Sequence, residues 1–142
     1  MMFLLDTNVI SELRKVGDGR ADRNLVSWIS AQEADSLYVS AITTMELEIG
    51  VLRMERRDTE QGDRLRAWLD HQVFPEFSER TLAVDCAVAF ACARLHVPDP
   101  RSERDALIAA TALVHNMHVV TRNTSDFELT GVKLINPWEA SS

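Results

Sequence analysis

The sequence predicts an α/β domain with a mainly parallel sheet of about four or five strands flanked by helices. Three observations carry that expectation. Short apolar runs alternate with segments whose apolar residues recur at three and four, and no hairpin signal joins any pair of runs. The first run, Met2-Phe3-Leu4-Leu5, is apolar without interruption, as a strand covered on both faces should be. Asp6-Thr7-Asn8 follow at once, which puts Asp6 at the carboxyl end of that strand, where open α/β sheets bind their ligands.

Each later element has its own signal. Thr7 to Lys15 reads as a short helix broken by Gly17-Asp18-Gly19, and Leu25, Trp28 and Ile29 give one buried stripe to a helix over about 21–32. Ser36 to Ser40 is strand-like. A long helix is expected to start at Thr43 and run past Met54, and a second carries Leu65, Trp68 and Leu69 to Pro75. Thr81 to Val84 is the third strand, Asp85 to Leu95 an alanine-rich helix that Pro98-Asp99-Pro100 ends. Ser102 opens a helix through His115, then strand 118–121, the turn 122–127 and a last strand over 132–135 complete the chain.

At 142 residues, 46% hydrophobic and 6% aromatic, the chain has the size of one domain, expected over 1–142 with one core. Its 22 acids against 15 bases leave a formal charge of −7, which argues against attachment to nucleic acid or anionic membrane by charge alone. Arg53, Arg56, Arg57, Arg64 and Arg66 form a local basic run, read as a solvated helix face. Cys86 and Cys92 lie in one helix, about 240° apart at 3.6 residues per turn, so they do not bridge and read as small core residues. With no disulfide framework, signal-peptide pattern or long apolar run, a soluble cytosolic protein is expected. His115 and His118 suit a helix end better than a metal, and five glycines without a G-x-G-x-x-G or Walker pattern leave no nucleotide cradle of those kinds.

The acids are the informative residues. Asp6 ends strand one, Glu46 falls in the first turn after strand two, Asp105 begins the helix before strand four, and Asn123 and Asp126 follow strand four. Taken singly, each has a capping explanation: Thr43-x-x-Glu46, Ser102-x-x-Asp105 and Asn123-x-x-Asp126 have capping-box or similar spacing, and Asp6 can cap the helix after it. Taken together on one sheet edge they would repel, each pair of unit charges at about 4 Å costing about 4 kcal/mol at an effective dielectric near 20. A cation resolves that conflict, and oxygen-only ligands favour Mg²⁺ or Mn²⁺ over zinc. Asp105 joins the edge only if the 98–102 link recrosses it.

Leu4-Leu5-Asp6-Thr7-Asn8, Ser40-Ala41-Ile42-Thr43-Thr44-Met45-Glu46-Leu47, Asp105 to Ala112, and Val120-Thr121-Arg122-Asn123-Thr124-Ser125-Asp126-Phe127 together resemble the ordered motifs of PIN-domain ribonucleases, in particular those of the VapC and FitB toxins. The resemblance spans Leu4 to Asn136-Pro137-Trp138. It implies a PIN-like three-layer fold and a Mg²⁺- or Mn²⁺-dependent endoribonuclease in which Asp6, Glu46 and Asp105 hold metal and, through it, the attacking water, leaving a 5′-phosphate and a 3′-hydroxyl. Asn8, Ser40 and Thr121 match polar positions that orient acids or water. Asn123 stands where many members carry a fourth acid, which weakens a second tight metal, and Asp126 offers a carboxylate one turn later.

The same resemblance implies a homodimer, a small antitoxin whose tail lies over the acidic site, operator DNA bound through that complex, an RNA substrate and no membrane. Excess apolar residues over 43–77, Leu65, Trp68, Leu69, Phe74 and Phe77, fit either a partner or the core, burial being the simpler reading. Two rivals remain. A haloacid-dehalogenase-type phosphohydrolase needs a second acid where this chain has Asn8, and a catalytically weak module acting through antitoxin and operator contacts draws support from Asn123 alone.

Overall fold

β1 (Phe3–Leu5) is buried over its whole length and lies at the centre of a five-stranded sheet ordered β3-β2-β1-β4-β5. The computed structural model describes residues 1–139; the end of the expected 1–142 domain lies outside the described residues. All the pairings are parallel, with Leu4 in register with Tyr38 of β2 (Leu37–Ser40) and with Val119 of β4 (His118–Val120). β3 (Thr81–Leu82) and β5 (Leu134–Ile135) are two-residue edges, shorter than the runs 81–84 and 132–135 suggest. Pairing covers only Thr81 and Leu82 against β2, and Leu134 and Ile135 against β4.

Period two in β1 divides the core. Phe3 and Leu5 pack on one face with Val9 and Ile10 of α1 (Thr7–Leu13), Leu25 of α2 (Arg23–Ser30), and Leu47 and Val51 of α3 (Ala41–Arg57). Leu4 packs on the other, against Phe127 and a later helix described below. The first face also receives Leu69, Val73 and Phe77, carried by α4 (Thr59–Trp68), a π-helical turn (Leu69–Val73) and α5 (Phe74–Phe77). Leu65, Trp68 and Phe74 are partly buried against the same cluster, so the apolar excess of 43–77 serves the core. α3 and α4 meet at Gly62, where a Cβ would stand 2.6 Å from Glu55 Cα, so only glycine lets the two backbones approach this closely.

Beyond β3, α6 (Cys86–Leu95), capped by Asp85, packs on α7 (Glu103–His115) through Val88, Cys92, Ala106 and Ala110. α7 in turn sets Ile108, Ala109 and Ala112 against Leu4. Cys92 is buried as expected but Cys86 is exposed, because it lies off the face of α6 that carries Val88 and Cys92 onto α7. The basic run is likewise corrected at one position. Arg66 is a half-buried hub between α3 and α4, its Nη1 2.7 Å from Glu48 Oε1 with Glu55 and Asp70 beyond, rather than part of a solvated face. No helix among the described residues is long and apolar enough to cross a membrane.

Candidate active site

The carboxyl ends of β1, β2 and β4 open on one side, where β1 runs into Asp6, β4 into Thr121, and β2 leads into the helix that carries Glu46. Asp6 N–H donates to Val120 O of β4 (2.9 Å), which locks the residue to the neighbouring strand. Its Oδ1 accepts from Thr7 N–H (2.8 Å), capping α1, while Oδ2 accepts from the Thr121 hydroxyl (2.8 Å) with Asn8 Nδ2 at 3.4 Å. The capping and site explanations therefore hold together for Asp6. Asn8 donates also to the Thr121 hydroxyl oxygen (3.2 Å), and Asn123 N–H donates there too (3.0 Å), so Thr121 is the node that ties β4 to the carboxylate.

Glu46 lies one turn deeper in its helix than the sequence suggests. β2 ends at Ser40, whose buried hydroxyl accepts from Ile42 N–H (2.9 Å) and caps α3, so the helix begins at Ala41 and no Thr43–Glu46 box forms. Released from capping, Glu46 points across to α1, where the Thr7 hydroxyl donates to its Oε1 (2.7 Å); Oε2 faces Arg104 Nη1 at 3.7 Å. Ser40, expected among the supporting polar residues, is fully buried and absent from the cavity wall. Its part is to start the helix that carries Glu46.

Asp105 reaches the same side because the 98–102 link is pinned. Arg101 Nε donates to Leu95 O (2.8 Å), its Nη1 and Nη2 to Glu128 O (3.1 Å) and Leu129 O (3.2 Å), and its backbone N–H to His96 Nδ1 (3.1 Å). That brings the first turn of α7 beside the 3₁₀ turn Thr124–Phe127 and its Asp126. Asn123 makes no side-chain cap on that turn, so the capping account of Asp126 does not hold.

Asp6, Glu46, Asp105, Asn123 and Asp126 line one cavity of about 420 Å³, together with Thr7, Asn8, Ser11, Glu12, Lys15, Arg122 and Trp138. Burial pushes the Asp6 carboxyl up to about 6 from 3.8, against the lowering effect of the Thr121 and Thr7 bonds and with added repulsion from Asp105 and Glu46. Asp105 is also raised, first by burial, then by Asp126 and, after the opposing effect of the Ser102 hydroxyl, by Glu46. Burial is the main cause in both cases, and repulsion among the gathered carboxylates adds to it. Among the described residues, however, no three His, Cys, Asp or Glu side chains are arranged to hold one ion directly. Both Asp6 oxygens and Glu46 Oε1 accept from threonines, which sets the orientation of these two carboxylates. An all-oxygen donor set of this kind fits Mg²⁺, which keeps several waters and takes only one or two carboxylates directly. Thr7, Lys15, Arg104, Arg122 and Trp138 were not expected at the site; only Thr7, a hydroxyl next to Asp6, left a local signal.

The family model described as PIN domain matches residues 3–132. The chain belongs to the PIN-domain family. VapC ribonuclease Y4jK of Sinorhizobium fredii is 41% identical over 97% of this chain and 99% of its own length. Toxin FitB of Neisseria gonorrhoeae is 34% identical over 96% and 99%. Among solved structures, FitAB bound to an IR36 DNA fragment matches with a TM-score of 0.88 at 32% identity, over 99% of each chain. In this PIN domain Asn8 donates to Asp6 where a haloacid-dehalogenase-type site needs a second acid, which sets that rival aside.

Proposed function

We propose that this PIN domain is the toxin of a toxin–antitoxin pair and acts as a Mg²⁺- or Mn²⁺-dependent endoribonuclease. The observation that carries the reading is the convergence of Asp6, Glu46 and Asp105, far apart in sequence, on one cavity in which burial and mutual repulsion raise Asp6 and Asp105. Full-length likeness to a VapC ribonuclease and to toxin FitB supports the reaction class. Asp6 and Asp105 would hold the ion, with Glu46 direct or through water. Bound there, a divalent ion lowers the pKa of water and screens phosphate charge.

The chain's own groups do the rest. Thr121 and Thr7 fix the rotamers of Asp6 and Glu46, and Glu46 orients the water that attacks phosphorus in line. The bond from phosphorus to the 3′ oxygen breaks, and that oxygen leaves with a proton, giving a 5′-phosphate and a 3′-hydroxyl. Thr121→Val keeps the shape but removes the donor to Asp6, so cleavage should fall about tenfold to a hundredfold with an unchanged circular dichroism spectrum. Single-turnover kinetics on the purified variant measure this.

A small antitoxin with a basic tail fits the charge of the cavity, and the FitAB complex on DNA supports a partner of that kind and operator contact through it. A homodimer in the cytosol, with the whole chain as one domain, completes the reading. The deciding experiment incubates the purified chain with single-stranded RNA and Mg²⁺, with and without EDTA. Cutting that stops on chelation and resumes with added Mg²⁺ or Mn²⁺ is the expected result; no cutting, or cutting indifferent to EDTA, rejects the metal-dependent nuclease.

A further inference from the structure

We propose that Arg122, held over the Trp138 ring at the rim of the acidic cavity, is the residue that seats the RNA backbone by binding the phosphate next to the one being cut. The proposal rests on the nuclease reading for the direction of the strand. Five carboxylates line the cavity, Asp6, Glu12, Glu46, Asp105 and Asp126, against two cations, Lys15 and Arg122. A polyanion needs positive charge that is not already committed. Lys15 Nζ is 3.0 Å from Glu12 Oε1, and Arg104, outside the wall, faces Glu46. Among the described residues Arg122 has no carboxylate partner.

Its position is built. The guanidinium carbon lies 5.5 Å from the Trp138 ring centroid, and the ring is partly buried against the core beneath it. Asn24 Nδ2 donates to Trp138 O (2.8 Å) and Trp138 N–H donates to Asn136 Oδ1 (3.0 Å), which fix the aromatic platform. Arg122 N–H donates to Asn8 Oδ1 (3.3 Å), and Asn8 Nδ2 reaches Asp6, so the arginine backbone is one side chain away from the central acid. A guanidinium stacked on a ring loses little further freedom on binding and still offers its fork of N–H donors at the edge. A strand that enters the cavity past Arg122 and Trp138 would bring its next phosphate to this rim.

The test compares wild type with Arg122→Ala and Arg122→Lys, changes at an exposed side chain. With single-stranded RNA, Arg122→Ala should raise KM about tenfold while kcat stays within about twofold. In a cleavage-deficient Asp6→Asn background, the slope of log Kd against log salt should fall by about 0.7, the share of a single phosphate on a single strand. Arg122→Lys should keep that slope and recover only part of the affinity, because an ammonium cannot stack as a plane. Cutting with unchanged KM and slope keeps the nuclease reading and overturns the Arg122 assignment, leaving the stack to a protein partner. A reduced slope in a chain that never cuts RNA keeps the phosphate-binding role and overturns the nuclease.

Discussion

Asp6→Asn and Asp105→Asn should each lower RNA cleavage by about a thousandfold, equivalent to about 4 kcal/mol in the barrier, while leaving the fold intact. Both substitutions remove one negative charge from a cavity whose proposed chemistry depends on concentrated charge, and neither changes side-chain size. At Asp6 the amide oxygen can still accept from Thr7 N–H, so the cap of α1 survives and the loss is not one of folding. At Asp105 the side chain lies in the first turn of α7 and is only half-buried, so the amide is tolerated there too. Initial rates on a labelled single-stranded RNA in Mg²⁺, with circular dichroism as control, decide the matter. A variant of either kind that cuts at the wild-type rate would remove that residue from the proposed metal site.

What could be read from the sequence follows what is local. Asp6 was legible because an unbroken apolar run ending in an acid has one reasonable meaning, a central strand meeting solvent, and the five parallel strands follow the alternation of periods. Glu46 was legible as a residue but not in its setting. A capping box at Thr43 and a cap at Ser40 are both locally sound, and the choice was made by where β2 stops pairing. Asp105 was the least certain in position because its approach depends on Arg101 reaching Leu95, Glu128 and Leu129, partners up to 28 residues away that leave no periodic trace. The exposure of Cys86 was hidden for the opposite reason: α6 is apolar nearly all round, so the sequence does not say which side is covered. Arg122 over Trp138 likewise exists only once β4 and β5 are paired.

The second large effect concerns stability rather than rate: in metal-free protein at pH 7, Asp6→Asn should melt higher than wild type, by about 5 °C. Asp6 is raised from 3.8 to about 6, so the native state holds this proton more tightly than the unfolded chain does. The stabilisation from neutral Asp6 is full below about 3.8 and is lost as pH rises through about 6. At pH 7 the native protein therefore carries an ionised group in a place that disfavours it, a cost of up to about 3 kcal/mol. Asparagine removes the charge, although its NH₂ then meets the Thr121 hydroxyl and Asn8 Nδ2, which both donate to Asp6 Oδ2 in the wild type, and this offsets part of the gain. Towards pH 4 the two melting temperatures should converge, since the wild-type carboxyl is then protonated in the folded state. Saturating Mg²⁺ should reverse the order at pH 7, because an ion that binds only the native wild type stabilises it by RT ln(1 + [L]/Kd). Thermal unfolding at pH 4 and pH 7, in EDTA and in Mg²⁺, separates these cases. If Asp6→Asn is the less stable protein in EDTA at pH 7, the threonine hydrogen bonds to the carboxylate outweigh its burial and the repulsion from Asp105 and Glu46.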